Sequence, residues 1–572
     1  MLQLKSFTAR AAALLLWCVA CAAAAAPKPP GYAVASAHPL ATDAGIEILG
    51  QGGNAFDAAV AVSAALGVVE PYSSGIGGGG FWLLHRQRDG LDTMVDGREK
   101  APQAASREMY QDKDGHAIAD LSRNGAIAGG IPGTPAALDL IAAKYGRLGL
   151  AKDLAPAIRL ARDGFPLDQR FADNIAAEGQ RFSPAAQALL LPNGVPLKKG
   201  ELLRQPDLAA VLQRMAEQGR AGFYGGATAQ ALVDGVRAGG GIWTLADLAG
   251  YDAVQRKPLT VRFQGYRIVM APPPSAGGVG MAEMLNQLSV LHWNGGDDVH
   301  ARQQVIEVMR RAYRDRAAYL GDPDYIQIPL AQLLSHRYAA QLASTIRPDQ
   351  ATPSANLPPA TKVFDADAKA GHPAREGVDT THYSIIDADG NRVAATVTVN
   401  LWFGSGFMAP GTGVMVNDEM DDFAASTTDS NAFGLIGSNA NAIAPGKRPL
   451  STMTPTFVEG PKGVLVIGTP GGSRILTMVV TAMLDFFRGA DVKAIVSQPR
   501  YHMQYLPDQV QYEQGAFDAA AQEALQKMGY KLDLVPRGYG NMQAVLWRPA
   551  AGTLEAASDP RGEGAARVVL KH

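Results

Sequence analysis

Asp379-Thr380-Thr381-His382-Tyr383-Ser384-Ile385-Ile386, then Asp387-Ala388-Asp389-Gly390-Asn391 and a second alternating run to Asn400, reads as a β-hairpin. Residues 382–386 and 392–399 suit a pleated surface, and the Asp/Gly/Asn group between them is turn chemistry. Centring the hairpin on Asp389 sets Thr380 opposite Thr398. Alternation puts Thr380, His382 and Ser384 on one face of the first strand. In the second, Thr396, Thr398 and Asn400 share a face, and Val393, Ala395, Val397 and Val399 share the other. The pairing gathers Thr380, Thr398 and Asn400 at the open end of the hairpin. Threonine is common in strands, so residue type alone leaves this cluster structural.

Outward from the hairpin, residues 42–70 read as two helices, the first capped by Thr42 and the second by Asn54 with Asp57 at its positive end. The second is apolar almost all round, which predicts a buried layer helix. Gly77–Gly80 precedes the buried-strand signal Phe81-Trp-Leu-Leu84; the run suits either an anion or a tight bend beside close packing. Arg98 follows the strand Thr93–Val95 in a turn where an arginine is ordinarily solvated. Helical periodicity covers 134–145, 151–163 and 205–218, a strand pair covers 258–270, and Ala271–Gly278 enters a further helix. Residues 300–320 form an arginine-rich amphipathic helix with an expected solvated basic face, and 350–378 are polar and poorly patterned, as in a mobile segment. Asp418–Asp422 reads as a solvated acidic turn, and Pro470-Gly-Gly-Ser as a strand-to-helix turn.

With 572 residues, 47% apolar and 19% charged, the chain can bury a large core, and no linker or internal repeat divides it. A net charge of −2 gives no reason to expect nucleic acid or an anionic membrane. Lys5 and Arg10, the apolar run Ala11–Ala20 and the small residues Ala22–Ala26 read as a signal peptide, here cut after Ala25. An exported protein, periplasmic or extracellular, is expected. Val19-Ala20-Cys21 is a degenerate lipoprotein signal, so anchoring at Cys21 is the alternative. Both cysteines, Cys18 and Cys21, lie in this leader, which leaves the mature chain without a disulfide or thiol nucleophile.

Six further segments matter: Gly52-Gly-Asn54-Ala-Phe-Asp57-Ala-Ala, Gly77–Gly80, Asp96-Gly-Arg98-Glu-Lys-Ala-Pro102, Asn417-Asp-Glu-Met-Asp-Asp422-Phe, Pro449-Leu-Ser451-Thr452-Met and Thr469-Pro-Gly471-Gly472-Ser-Arg. With Asp379-Thr-Thr-His-Tyr-Ser and Thr398-Val-Asn400, they resemble the γ-glutamyltranspeptidase family in order and spacing, over nearly everything after the leader. The resemblance implies a four-layer αββα N-terminal-nucleophile hydrolase fold. It also implies one precursor cut between Asp379 and Thr380 into a large subunit (26–379) and a small one (380–572), which stay together as a heterodimer.

The expected chemistry follows from that cut. A threonine hydroxyl needs a base, and a free α-amine on the same residue, titrating near ~8, can serve. There is no Gly-x-Ser-x-Gly elbow and no His-Glu-x-x-His metal spacing, and no metal or organic cofactor is expected. By resemblance Thr380 is cutter and nucleophile, Thr398 steadies it, and the amides of Gly471 and Gly472 form the oxyanion hole. Arg98, Ser451 and Thr452 take the α-carboxylate of a γ-glutamyl group, and Asn400, Glu419 and Asp422 take its ammonium. The expected substrates are glutathione and other γ-glutamyl compounds, with water, amino acids or dipeptides as acceptors. Residues 426–439 occupy the place of a lid loop; Phe433 stands where some relatives carry a tyrosine, so the balance of hydrolysis and transfer is open. The rivals are a glutaryl (cephalosporin) acylase of the same superfamily and a non-catalytic γ-glutamyl solute-binding protein.

Overall fold

The computed structural model describes residues 27–118, 120–357, 380–426 and 430–571. The leader, Asp379 and residues 358–378 of the polar segment lie outside them. Two antiparallel sheets stack face to face between helices, which is the expected four-layer arrangement. The first sheet has the order Ala565–Leu570, Gly31–Ser36, Thr380–Ile386, Arg392–Thr398, Gly79–Arg86, Leu91–Asp96, Val254–Arg256. The second has the order Thr553–Ser558, Gln543–Arg548, Gly463–Gly468, Thr456–Gly460, Tyr266–Met270, Leu259–Phe263.

The hairpin forms in the expected register: Thr380 pairs with Thr398, His382 with Thr396, and Asp387 accepts and donates around the turn to Asn391. Alternation then decides what each face meets. Tyr383, Ile385, Val393, Ala395 and Val397 pack outward into the core under the helices Pro39–Gly50, Ala55–Val69 and Thr134–Tyr145. The opposite face turns to the second sheet, where Phe81, Leu83, Ile386 and Ala394 pack on Phe457, Val466, Val545 and Trp547. The outer side of the second sheet is closed by Gly277–Val290, Val299–Tyr319 and Ile475–Arg488.

Helix Ala55–Val69 is buried along its whole length, and Asn54 and Asp57 form a reciprocal capping box at its start. The first helix corrects the expected cap: it runs Pro39–Gly50 and His38, not Thr42, caps it, with its ring nitrogen accepting from Leu40 N–H (3.1 Å). The arginine-rich helix is a second correction. It spans Val299–Tyr319, but Arg310, Arg311, Arg314 and Arg316 are all buried. Glu307 takes Arg311 (2.6 Å) and Asp315 takes Arg314 (2.6 Å), so for these two arginines carboxylates replace the solvent they were expected to face. No described helix is long and apolar enough to cross a membrane.

Candidate active site

The open end of the hairpin is where the polar face becomes accessible to chemistry. Thr380 and Thr398 place their hydroxyl oxygens 3.1 Å apart. The Asn400 amide donates to Thr398 Oγ1 (2.8 Å), and its side chain donates to the Asp418 carbonyl (3.1 Å). Asn400 has φ +77°, a left-handed conformation that asparagine tolerates better than most residues. Gly78 and Gly79 run against Thr398 and Gly97 so closely that an added Cβ would lie 2.0 Å from the Thr398 carbonyl and 2.4 Å from the Gly97 carbonyl. Close packing, the plainer reading of Gly77–Gly80, is what this run does.

His382, two residues from Thr380, is no base for it. Its ring nitrogens meet Thr396 Oγ1 (2.9 Å) and Ser384 Oγ (3.2 Å), and burial pushes its pKa down to about 3. It stays neutral and ties the hairpin to the second sheet.

From His382 the position of the glycine turn follows. Ile386 packs with Val466; Ser384 Oγ donates to the carbonyl of Gln543, the register partner of Gly468; the His382 ring lies on Gly468. Moving toward Thr380 therefore means moving past Gly468 to Thr469-Pro470-Gly471-Gly472. Gly471 (φ +138°) and Gly472 (φ +56°) hold conformations that a Cβ disfavours, and the helix Ile475–Arg488 follows, its positive end toward the turn. Thr452 Oγ1 donates to the Gly472 carbonyl (2.8 Å) and fixes the plane of that peptide. A Cβ on Gly472 would sit 2.4 Å from the Phe433 ring, so Phe433 covers the turn. The Ser451 hydroxyl is engaged locally, accepting from Met453 N–H (3.1 Å).

A second cluster lies beside Thr398. Arg98 is wholly buried and donates to Glu419, to Asp422 (2.5 Å), and to the carbonyls of Pro449 (3.1 Å) and Leu450 (3.3 Å). The acidic turn is thus a buried 3-10 segment, Glu419–Asp422, not a solvated one. Burial works against the charge of Arg98, but the carboxylates outweigh it and raise its pKa above the ordinary value. Burial pushes Glu419 up to about 7, with Arg98 opposing and Asp422 adding to the rise. Glu419 Oε2 is buried without a hydrogen-bond donor among the described residues. Positive and negative groups therefore stand side by side, as the head of an α-amino acid requires.

Sequence reasoning missed three supports. Asn417 braces the acidic turn: Oδ1 accepts from Gly130 and Glu419 N–H (3.0 Å each), and Nδ2 donates to the Gly77 and Gly130 carbonyls (2.8 Å each). Glu70, also buried, accepts from Thr381 Oγ1 (3.0 Å) and holds the residue after Thr380 from behind. Glu99 lies 3.7 Å from Arg98 with both carboxylate oxygens buried and undonated among the described residues; burial, then Glu419, raises its pKa. Asn417 and Glu99 stand within the quoted segments Asn417–Phe423 and Asp96–Pro102, which was their only signal, and Glu70 had none.

A profile of the gamma-glutamyltranspeptidase family matches residues 41–569. The chain belongs to the gamma-glutamyltranspeptidase family. A glutathione hydrolase proenzyme of Pseudomonas sp. (strain A14) is 42% identical over 523 residues, 90% of this chain and 88% of that protein. Among solved structures, the cephalosporin acylase from Bacillus halodurans has a TM-score of 0.80 at 29% identity, covering 96% of this chain and 97% of that one. Helicobacter pylori gamma-glutamyltranspeptidase has 38% identity and a TM-score of 0.54, covering 57% of this chain and 94% of that one. As a gamma-glutamyltranspeptidase family member the chain is an enzyme of the hydrolase/transferase class, with acylases as more distant relatives.

Proposed function

We propose that this protein is a proenzyme that cuts itself between Asp379 and Thr380 and then cleaves the γ-glutamyl amide of glutathione and related compounds. Thr380 Oγ1 attacks the carbonyl before it, the Asp379–Thr380 amide bond breaks as an ester forms on Oγ1, and water hydrolyses that ester, which frees the hydroxyl and the α-amine that later serves as its base. Thr380 then attacks the γ-carbonyl. The Gly471 and Gly472 amides receive the oxyanion, and an ester on Thr380 forms as the amine leaves. Water or an amino acid or dipeptide amine resolves the ester. In this reading 26–379 and 380–572 are the two subunits of one heterodimer, exported by a leader cut after Ala25.

One observation carries the choice of substrate: Arg98, Glu419 and Asp422 form a buried cluster of both charge signs beside the Thr380–Thr398 pair. The substrate ammonium goes to Glu419, Asp422 and Asn400, and the α-carboxylate to Arg98, Ser451 and Thr452. A glutaryl group brings no cation, which would leave two buried carboxylates against one guanidinium; a solute-binding protein would need no paired threonines.

Intact-mass measurement with N-terminal sequencing tests the cut, and turnover of a γ-glutamyl anilide tests the substrate. A fragment beginning Thr380-Thr-His-Tyr and γ-glutamyl turnover exceeding glutaryl turnover are expected. A single stable chain, or preference for the glutaryl compound, overturns the proposal.

A further inference from the structure

Arg316 lies one helical turn beyond Tyr313, and the surroundings of that helix are those of the site. The Tyr313 hydroxyl donates to the Ser473 carbonyl, next to Gly472, and Ser438 Oγ of the lid region donates to the Ala318 carbonyl (3.2 Å). Arg316 lies on the stretch of helix between these two contacts, one to the glycine turn and one to Ser438. It is only 6% exposed, yet its guanidinium makes no hydrogen bond or ion pair among the described residues, and its Nε is fully buried without an acceptor. Its buried neighbours on the same helix behave otherwise: Arg310, Arg311 and Arg314 each have a carboxylate within 2.6 Å. A buried guanidinium left without an acceptor is costly, so a ligand that supplies one gains correspondingly.

The charges around it say which ligand. Asp422 and Arg98 are the charged groups of the site that act on Arg316, and burial lowers its pKa without removing its charge at neutral pH. Arg98 stands against three buried acids, Glu419, Asp422 and Glu99, so negative charge is in excess around it whenever more than one of them is ionised. Arg316 offsets part of that excess, which suits a zwitterion; without it the pocket would favour a bare cation.

We propose that Arg316 is the second cation of the substrate pocket and takes a carboxylate oxygen of the bound molecule. The proposal rests on the γ-glutamyl reading above. Two carboxylates have the right chemistry, the α-carboxylate of the glutamyl donor and the terminal carboxylate of an acceptor peptide.

The test uses mature, self-cut enzyme with Arg316→Met and Arg316→Lys. Three assays are run: a γ-glutamyl anilide, the matching 4-aminobutyryl anilide that lacks the α-carboxylate, and transfer from the first donor to a dipeptide. In Arg316→Met, KM for the γ-glutamyl donor is expected to rise about tenfold or more, the loss of a charge-assisted hydrogen bond, with a much smaller fall in kcat. The preference over the decarboxylated donor should collapse by the same factor, and Lys should restore part of it. A rise confined to KM for the dipeptide would keep the carboxylate role and assign it to the acceptor. Equal losses for both anilides, or no loss in any assay, overturn the proposal by leaving Arg316 a merely structural cation. If Arg316→Met fails to mature, the charge-preserving Lys variant reads the same ratio. Wild-type enzyme that ignores γ-glutamyl anilide would instead sink the underlying reading.

Discussion

Thr380 and Thr398 face each other across a register pair of the hairpin with their oxygens 3.1 Å apart, and the Asn400 amide donates to the Thr398 oxygen. That bond occupies a lone pair of Thr398, and in the hydroxyl contact with Thr380 either hydroxyl can be the donor. Thr380→Ala should abolish both self-cutting and turnover, while Thr380→Ser should retain a fraction of each. Thr398→Ala should lower kcat by roughly tenfold, the worth of one buried hydrogen bond. Gel separation of the two fragments and anilide hydrolysis check all three.

Glu419 gives the site a pH dependence whose sign can be worked out. Burial holds its pKa up to about 7 in the free protein, so it is increasingly protonated below that pH. A protonated Glu419 cannot pair with an ammonium. Hence kcat/KM should fall with decreasing pH in two steps, as the Thr380 α-amine protonates at ~8 and Glu419 at about 7, and Glu419→Gln should remove the second step while lowering the plateau. A pH series with one γ-glutamyl donor decides it.

Gly472 has no room for a side chain. With φ +56° and the Phe433 ring 2.4 Å from the position of a Cβ, Gly472→Ala must displace either the ring or the peptide. If its amide serves the oxyanion, kcat should fall by about 10² or more. Phe433→Leu in the same chain should recover part of the loss, since it relieves the clash. Steady-state kinetics of the single and double variants measure the coupling.

Asp153 tests the protein away from the site. It is buried, both of its oxygens lack a donor among the described residues, and burial, then Asp57, raises its pKa to about 8. Its folded-state pKa lies above the unfolded one, so the folded chain holds the extra proton. Stability is greatest at low pH for this group and declines as pH rises from about 4 to about 8. Asp153→Asn should raise the thermal midpoint by a few degrees at pH 8 and leave it unchanged at pH 4. Scanning calorimetry at both values is the measurement.

What the sequence allowed to be read was whatever is encoded locally. The hairpin register, the Asn54–Asp57 box and the strand pair within 258–270 each depend on neighbours a few residues apart, and each is present. The cap on the first helix was misplaced because His38 is an unusual capping residue and Thr42, whose hydroxyl instead bonds Ser36 Oγ and the Ala565 carbonyl, looked better. The arginines of Val299–Tyr319 were misread for a different reason. Asp508, which receives Arg310, is far away in the chain, while Glu307 and Asp315, which take Arg311 and Arg314, lie on the helix itself and are buried with them by elements that sequence pattern does not place against it. The same holds for the acidic turn, whose burial comes from Arg98.

The strand order has one more outcome. Gly31–Ser36 lies between Ala565–Leu570 and Thr380–Ile386, Gly79–Arg86 is zipped to Arg392–Thr398, and Tyr266–Met270 to Thr456–Gly460. A break before Thr380 would thus sever the covalent chain without creating two objects that dilution could part. No separate dissociation constant would describe the halves, because releasing one means unzipping both sheets. Fresh halves could not be traded between molecules, and the cut enzyme would persist for as long as its fold does.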